Sequence, residues 1–103
     1  MTRVLYEPNK LHLRIEGHAG SAPKGEDLVC AGVSALGFTL LLAAGEYYAD
    51  IVTDEDSGLM EVTLKPQNVE ESAYCFVVMN TIADGLELLA YKYPEYVTIE
   101  RRD

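Results

Sequence analysis

Cysteine and histidine are few in this 103-residue chain, two of each. Basic residues are scarce too, 8 against 17 acidic ones, giving a formal net charge of −9. Cys30 and Cys75 are too few for a disulfide framework and read as free thiols in a reducing cytoplasm. The basic residues are scattered and the overall charge repels phosphate backbones. That disfavours direct nucleic-acid binding by counterion release and favours a basic peptide or protein as partner. The start, Met1-Thr2-Arg3-Val4-Leu5, leads into alternating strand sequence rather than an apolar leader. The longest uncharged run, eighteen residues from Leu28 to Gly45, only touches the length a membrane span needs. It includes Gly32, Ser34, Gly37 and Thr39 and lacks flanking Lys or Arg, so it reads as a buried helix rather than a membrane segment. No internal repeat or low-complexity stretch interrupts the chain.

A 49% hydrophobic share at this length argues against disorder and for one domain over residues 1–103. Thr2 to Glu7 and Leu11 to Gly17 read as strands, the second alternating Leu11, Leu13 and Ile15 with His12, Arg14 and Glu16. Glu7-Pro8-Asn9-Lys10 supplies the turn of an antiparallel hairpin, with Pro8 and Asn9 at its centre. A glycine-rich segment follows, Gly17-His18-Ala19-Gly20-Ser21-Ala22-Pro23-Lys24-Gly25, which reads as a mobile loop. After Glu26, Asp27 caps a helix that runs to about Ala44 and stops at Gly45. Tyr48 to Asp54 and Leu59 to Lys65 form a second strand pair, ended by Pro66. Asn68 and Glu71 have the spacing of a capping box, opening a helix whose buried stripe is Cys75, Met79, Ile82, Leu86, Leu89 and Tyr93. Pro94 closes it, and Tyr96 to Arg101 is a last strand. The order ββαββαβ predicts an α/β (α+β) two-layer sandwich of five strands and two helices. Both helices are apolar around much of their circumference, which predicts a homodimer.

Several groups read as structural. Asp54-Glu55-Asp56-Ser57-Gly58 begins like a calcium loop, but its glycine comes one position early, its twelfth position is Lys65, and a strand follows. It reads as an acidic hairpin turn. Cys75 lies among large apolar residues in mid-helix and reads as core. His12 reads as a solvent-facing strand residue. No metal site is predicted, since only His18, Cys30 and carboxylates could contribute.

Cys30 is different. It sits in the first turn of a helix, where the dipole and unpaired N–H groups favour a thiolate, although Asp27 nearby opposes this. His18, on the loop that leads into that helix, is the available cationic neighbour. Imidazolium would stabilise the thiolate and could then protonate a leaving amine, while helix N–H groups stand near for an oxyanion. By itself the pair leaves open a flexible loop beside a buried thiol.

Gly17-His18-Ala19-Gly20 together with Gly25-Glu26-Asp27-Leu28-Val29-Cys30-Ala31-Gly32-Val33-Ser34-Ala35-Leu36 resembles the signature of the bacterial ribosomal-processing cysteine protease family. The resemblance implies an α/β homodimeric endopeptidase that removes a short N-terminal extension from a large-subunit ribosomal protein, the twenty-seventh of that subunit. It implies Cys30 as nucleophile, His18 as general acid/base and Ser34 in support, one helical turn beyond the cysteine. It also implies an apolar groove for a peptide cut after an aromatic pair. The Gly20 to Gly25 loop then reads as a lid over the substrate. Nothing in the chain identifies a third group to orient His18; Asp27 and Glu26 are near only in sequence. No cofactor is implied. The rival readings are a non-enzymatic acidic dimer that binds a basic ribosomal protein without cutting it, and thiol-dependent hydrolysis of a small thioester or amide.

Overall fold

The structure is a computed structural model, which describes residues 1–20, 22–23 and 27–103. Its elements are β1 (Thr2–Glu7), β2 (His12–Glu16), α1 (Leu28–Ala44), β3 (Ala49–Asp54), β4 (Leu59–Leu64), α2 (Val69–Lys92) and β5 (Val97–Arg101). The expected order holds, with β2, β3, β4 and β5 each a residue or two shorter than the pattern suggested. The strands form one mixed sheet in the order β3-β4-β2-β1-β5. β1 pairs antiparallel with β2 and parallel with β5. β4 pairs antiparallel with both β2 and β3.

Alternation decides which face is covered. Val4, Tyr6, Leu13, Ile15, Val62 and Leu64 are buried on the side that meets both helices, which makes a two-layer α+β sandwich. Leu40 of α1 and Met79 of α2 are wholly buried there. Such a side chain contributes about 2 kcal/mol by leaving water. Gly37 lets α1 settle onto the sheet, since a Cβ there would stand 2.8 Å from the Met60 sulfur and 3.6 Å from Ile15 Cδ1.

Three local readings need correction. Pro8–Lys10 is a 3-10 turn, and Leu11 rather than Asn9 reverses the chain, at φ 49°, with its amide donating to the Pro8 carbonyl at 3.1 Å. Gly45 ends α1 as expected, in right-handed geometry at φ −62°. Tyr93 caps α2 and is exposed, whereas Cys75, Met79, Ile82 and Leu86 form the buried stripe as expected and Leu89 is half-buried. His12 does not face solvent freely. Its ring is half-buried on the uncovered sheet face, with Nδ1 2.9 Å from Glu7 and Nε2 2.7 Å from Glu61, because register sets β1 and β4 carboxylates on either side.

Candidate active site

The chain path fixes which ends meet. α1 returns antiparallel to β2, and β4 starts where β2 finishes, since Ile15 pairs with Met60. From the crossing of Gly37 over Ile15, Cys30 lies seven residues back along the helix, about 10 Å. His18 lies three residues on from Ile15 and two past the end of β2, at most about 10 Å away. Both travel toward the same end of the sheet, which also carries the turn between β3 and β4.

Cys30 is the third residue of α1 and is half-buried against the core. Asp27 caps the helix as expected: its Oδ1 accepts the Cys30 amide at 2.9 Å, and its carbonyl accepts the Ala31 amide at 3.0 Å. The cap therefore occupies the cysteine's own N–H, and an oxyanion would need a different donor. Ser34 is half-buried one turn further along α1, on the same face as Cys30.

His18 is exposed, and its Nε2 stands 3.1 Å from the carbonyl of Asp56 in the β3–β4 turn. A carbonyl can only accept, so Nε2 carries the proton in this bond. Its own carbonyl accepts from the Met1 amine at 2.6 Å. Among the described residues no hydrogen bond joins His18 to Cys30. Asp54 to Gly58 is the hairpin turn that was expected, with the Asp54 carboxylate accepting the Asp56 amide at 3.1 Å. Its contact with His18 was missed, because a main-chain acceptor leaves no mark on residue identity.

Gly20, at φ 73°, and Pro23 are exposed and Ala22 is half-buried, whereas Ser21, Lys24, Gly25 and Glu26 lie outside the described residues, so the lid expected across this segment does too. Cys75 is wholly buried, and burial pushes its thiol up from the ordinary range, with Glu71 adding to the effect. Among the described residues no group of three or more His, Cys, Asp or Glu side chains could hold a metal ion.

A family model described as cysteine protease Prp matches residues 1–98. The ribosomal processing cysteine protease Prp of Mycoplasma pneumoniae is 30% identical over 90 residues, 85% of this chain and 84% of that protein. Among solved structures, the ribosomal processing protease Prp of S. aureus, with a covalently linked product peptide, superposes at a TM-score of 0.85. It is 24% identical, over 99% of this chain and 100% of that one. Its complex with a substrate peptide gives 0.79 at 21% identity, with the same coverage. SMU.848 of Streptococcus mutans gives 0.74 at 27% identity, over 97% of this chain and 90% of that one. The two S. aureus likenesses speak for the fold, while the match over residues 1–98 and the Mycoplasma relative speak for descent: the chain belongs to the cysteine protease Prp family.

Proposed function

We propose that this protease processes a ribosomal protein, removing the N-terminal extension of the twenty-seventh protein of the large subunit, with Cys30 as nucleophile and His18 as general acid/base. What supports the reading is that Cys30 stands in the first turn of α1, and that His18 follows β2 at the end of the sheet where β4 begins, against the Asp56 carbonyl. The naming of the Mycoplasma relative as a ribosomal processing enzyme supports the substrate class.

In this mechanism the Cys30 thiol passes its proton to His18, and the thiolate attacks the scissile carbonyl carbon, forming the C–S bond. His18 returns the proton to the amine nitrogen as the C–N bond breaks, leaving a thioester. Water then attacks the thioester, gives a proton to His18, and releases the thiolate as the C–S bond breaks. Asp27 acts here by fixing the first turn that carries the thiol, and Ser34 stands in support on the same helix face.

The reading includes a homodimer, supported by the outward apolar side chains Phe38 and Leu42 on α1 and Phe76 and Val77 on α2, all exposed. It also includes a reducing cytoplasm, in which Cys30 and Cys75 are free thiols. Its partner is a basic ribosomal protein rather than nucleic acid or membrane.

The test is mass analysis of the ribosomal protein after incubation with purified enzyme. A shortened N-terminus is expected, and it should vanish with Cys30→Ala and with His18→Ala. Unchanged cleavage by Cys30→Ala would overturn the nucleophile assignment, and an intact substrate with native enzyme would overturn the substrate.

A further inference from the structure

We infer that the third group orienting His18 is the main-chain carbonyl of Asp56, so that the β3–β4 turn is a positioning element of the active site. This rests on the reading of His18 as the general acid/base. Three observations converge. First, among the described residues the ring's hydrogen bond runs from Nε2 to the Asp56 oxygen, at 3.1 Å. Second, the turn grips the chain just before the histidine, with the Gly17 amide donating to the Ser57 carbonyl at 3.1 Å. Third, Gly58 sits at φ 66°, and a Cβ on it would come to 2.5 Å from the Gly17 oxygen and 3.1 Å from His18 Cε1. Only a residue without a side chain lets the turn and the histidine approach this closely.

The turn is itself held in shape. Asp54 accepts the Asp56 amide, and the Gly58 amide donates to the Glu55 carbonyl at 3.2 Å. Together these aim the peptide group between Asp56 and Ser57 at the ring.

The chemical consequence is a choice of tautomer. An acceptor on Nε2 keeps that nitrogen protonated and leaves Nδ1 to receive and return the thiol proton. A carboxylate or amide side chain commonly orients a catalytic histidine this way. A backbone carbonyl is the neutral equivalent: it fixes the ring without adding a negative charge beside a thiolate.

The experiment reads the tautomer directly and does not depend on turnover. In Cys30→Ala protein labelled with 15N on histidine, at a pH where the ring is neutral, long-range 1H–15N spectra should show His18 protonated on Nε2. Protonation on Nδ1, or an averaged mixture, would overturn the proposal. In the enzyme with Cys30 intact, Gly58→Ala should lower kcat about a hundredfold while KM stays within about twofold, since a displacement near 1 Å is enough for such a loss. Folding of that variant is checked by circular dichroism, and the tautomer measurement stands if it fails to fold. A Gly58→Ala enzyme with native kcat would also overturn the proposal. Failure of the dyad itself would show separately, as cleavage surviving His18→Ala whatever the tautomer.

Discussion

The amide of Cys30 donates to the carboxylate of Asp27 at 2.9 Å, so the residue that begins the helix also binds the backbone of the residue bearing the thiol. Removing that acceptor leaves a helix N–H without its cap. Asp27→Ala is expected to cost about 1 kcal/mol of stability, and Asp27→Asn, which retains an acceptor oxygen, much less. Urea denaturation of the two variants beside the parent measures the difference. Equal losses for Ala and Asn would show that the capping oxygen is not what matters at this position.

The two thiols should separate cleanly in reactivity. Cys30 is half-buried at a helix N-terminus, whereas Cys75 is wholly buried and its thiol is pushed up by burial and by Glu71. In the folded protein iodoacetamide should label Cys30 at least about tenfold faster, with mass spectrometry of peptides as the readout. Cys75→Ala should keep its peptidase activity. Preferential labelling of Cys75 would contradict the burial that sets this order.

Caps and buried stripes were legible in the sequence because their signals are short-range. Asn68 receives the Glu71 amide at 2.8 Å, as the three-residue spacing suggested, although the Glu71 carboxylate accepts from the Gln67 main-chain amide and the Asn68 side-chain amide rather than from the Asn68 main-chain N–H. Cys75, Met79, Ile82 and Leu86 follow from helical period alone. The family was legible in the residues of the Gly17–Leu36 signature. What stayed hidden depends on register across distant strands. His12 meets Glu61 only because β4 pairs with β2, and His18 meets Asp56 only because the β3–β4 turn ends beside Gly17.

Acid should weaken the hairpin through Glu7. Burial works to raise the pKa of this carboxyl, but hydrogen bonds and charge from Lys10 and His12 outweigh it and hold the group below the usual glutamate range. A carboxyl depressed in the folded state contributes stability that is complete above its unfolded pKa, about 4.3, and lost as pH falls through the lower folded value. Between about pH 5 and pH 3 the parent should therefore lose more stability than Glu7→Gln, as read by thermal melts across that range. A variant with the same acid dependence would remove Glu7 from the account.

Salt offers a test of what the net charge of −9 does. On the proposed function, an acidic enzyme attracts a basic ribosomal protein over distances comparable to the Debye length, which shrinks from about 30 Å at 0.01 M salt to about 3 Å at 1 M. The attraction acts before the bond-breaking steps, so raising salt should lower kcat/KM several-fold while kcat changes little. The same titration on a short neutral peptide carrying the cleavage sequence should be nearly flat, because such a peptide has no charge for the enzyme's field to steer. Parallel curves for the two substrates would mean that the acidity serves solubility and that recognition rests on short-range contacts with the peptide alone.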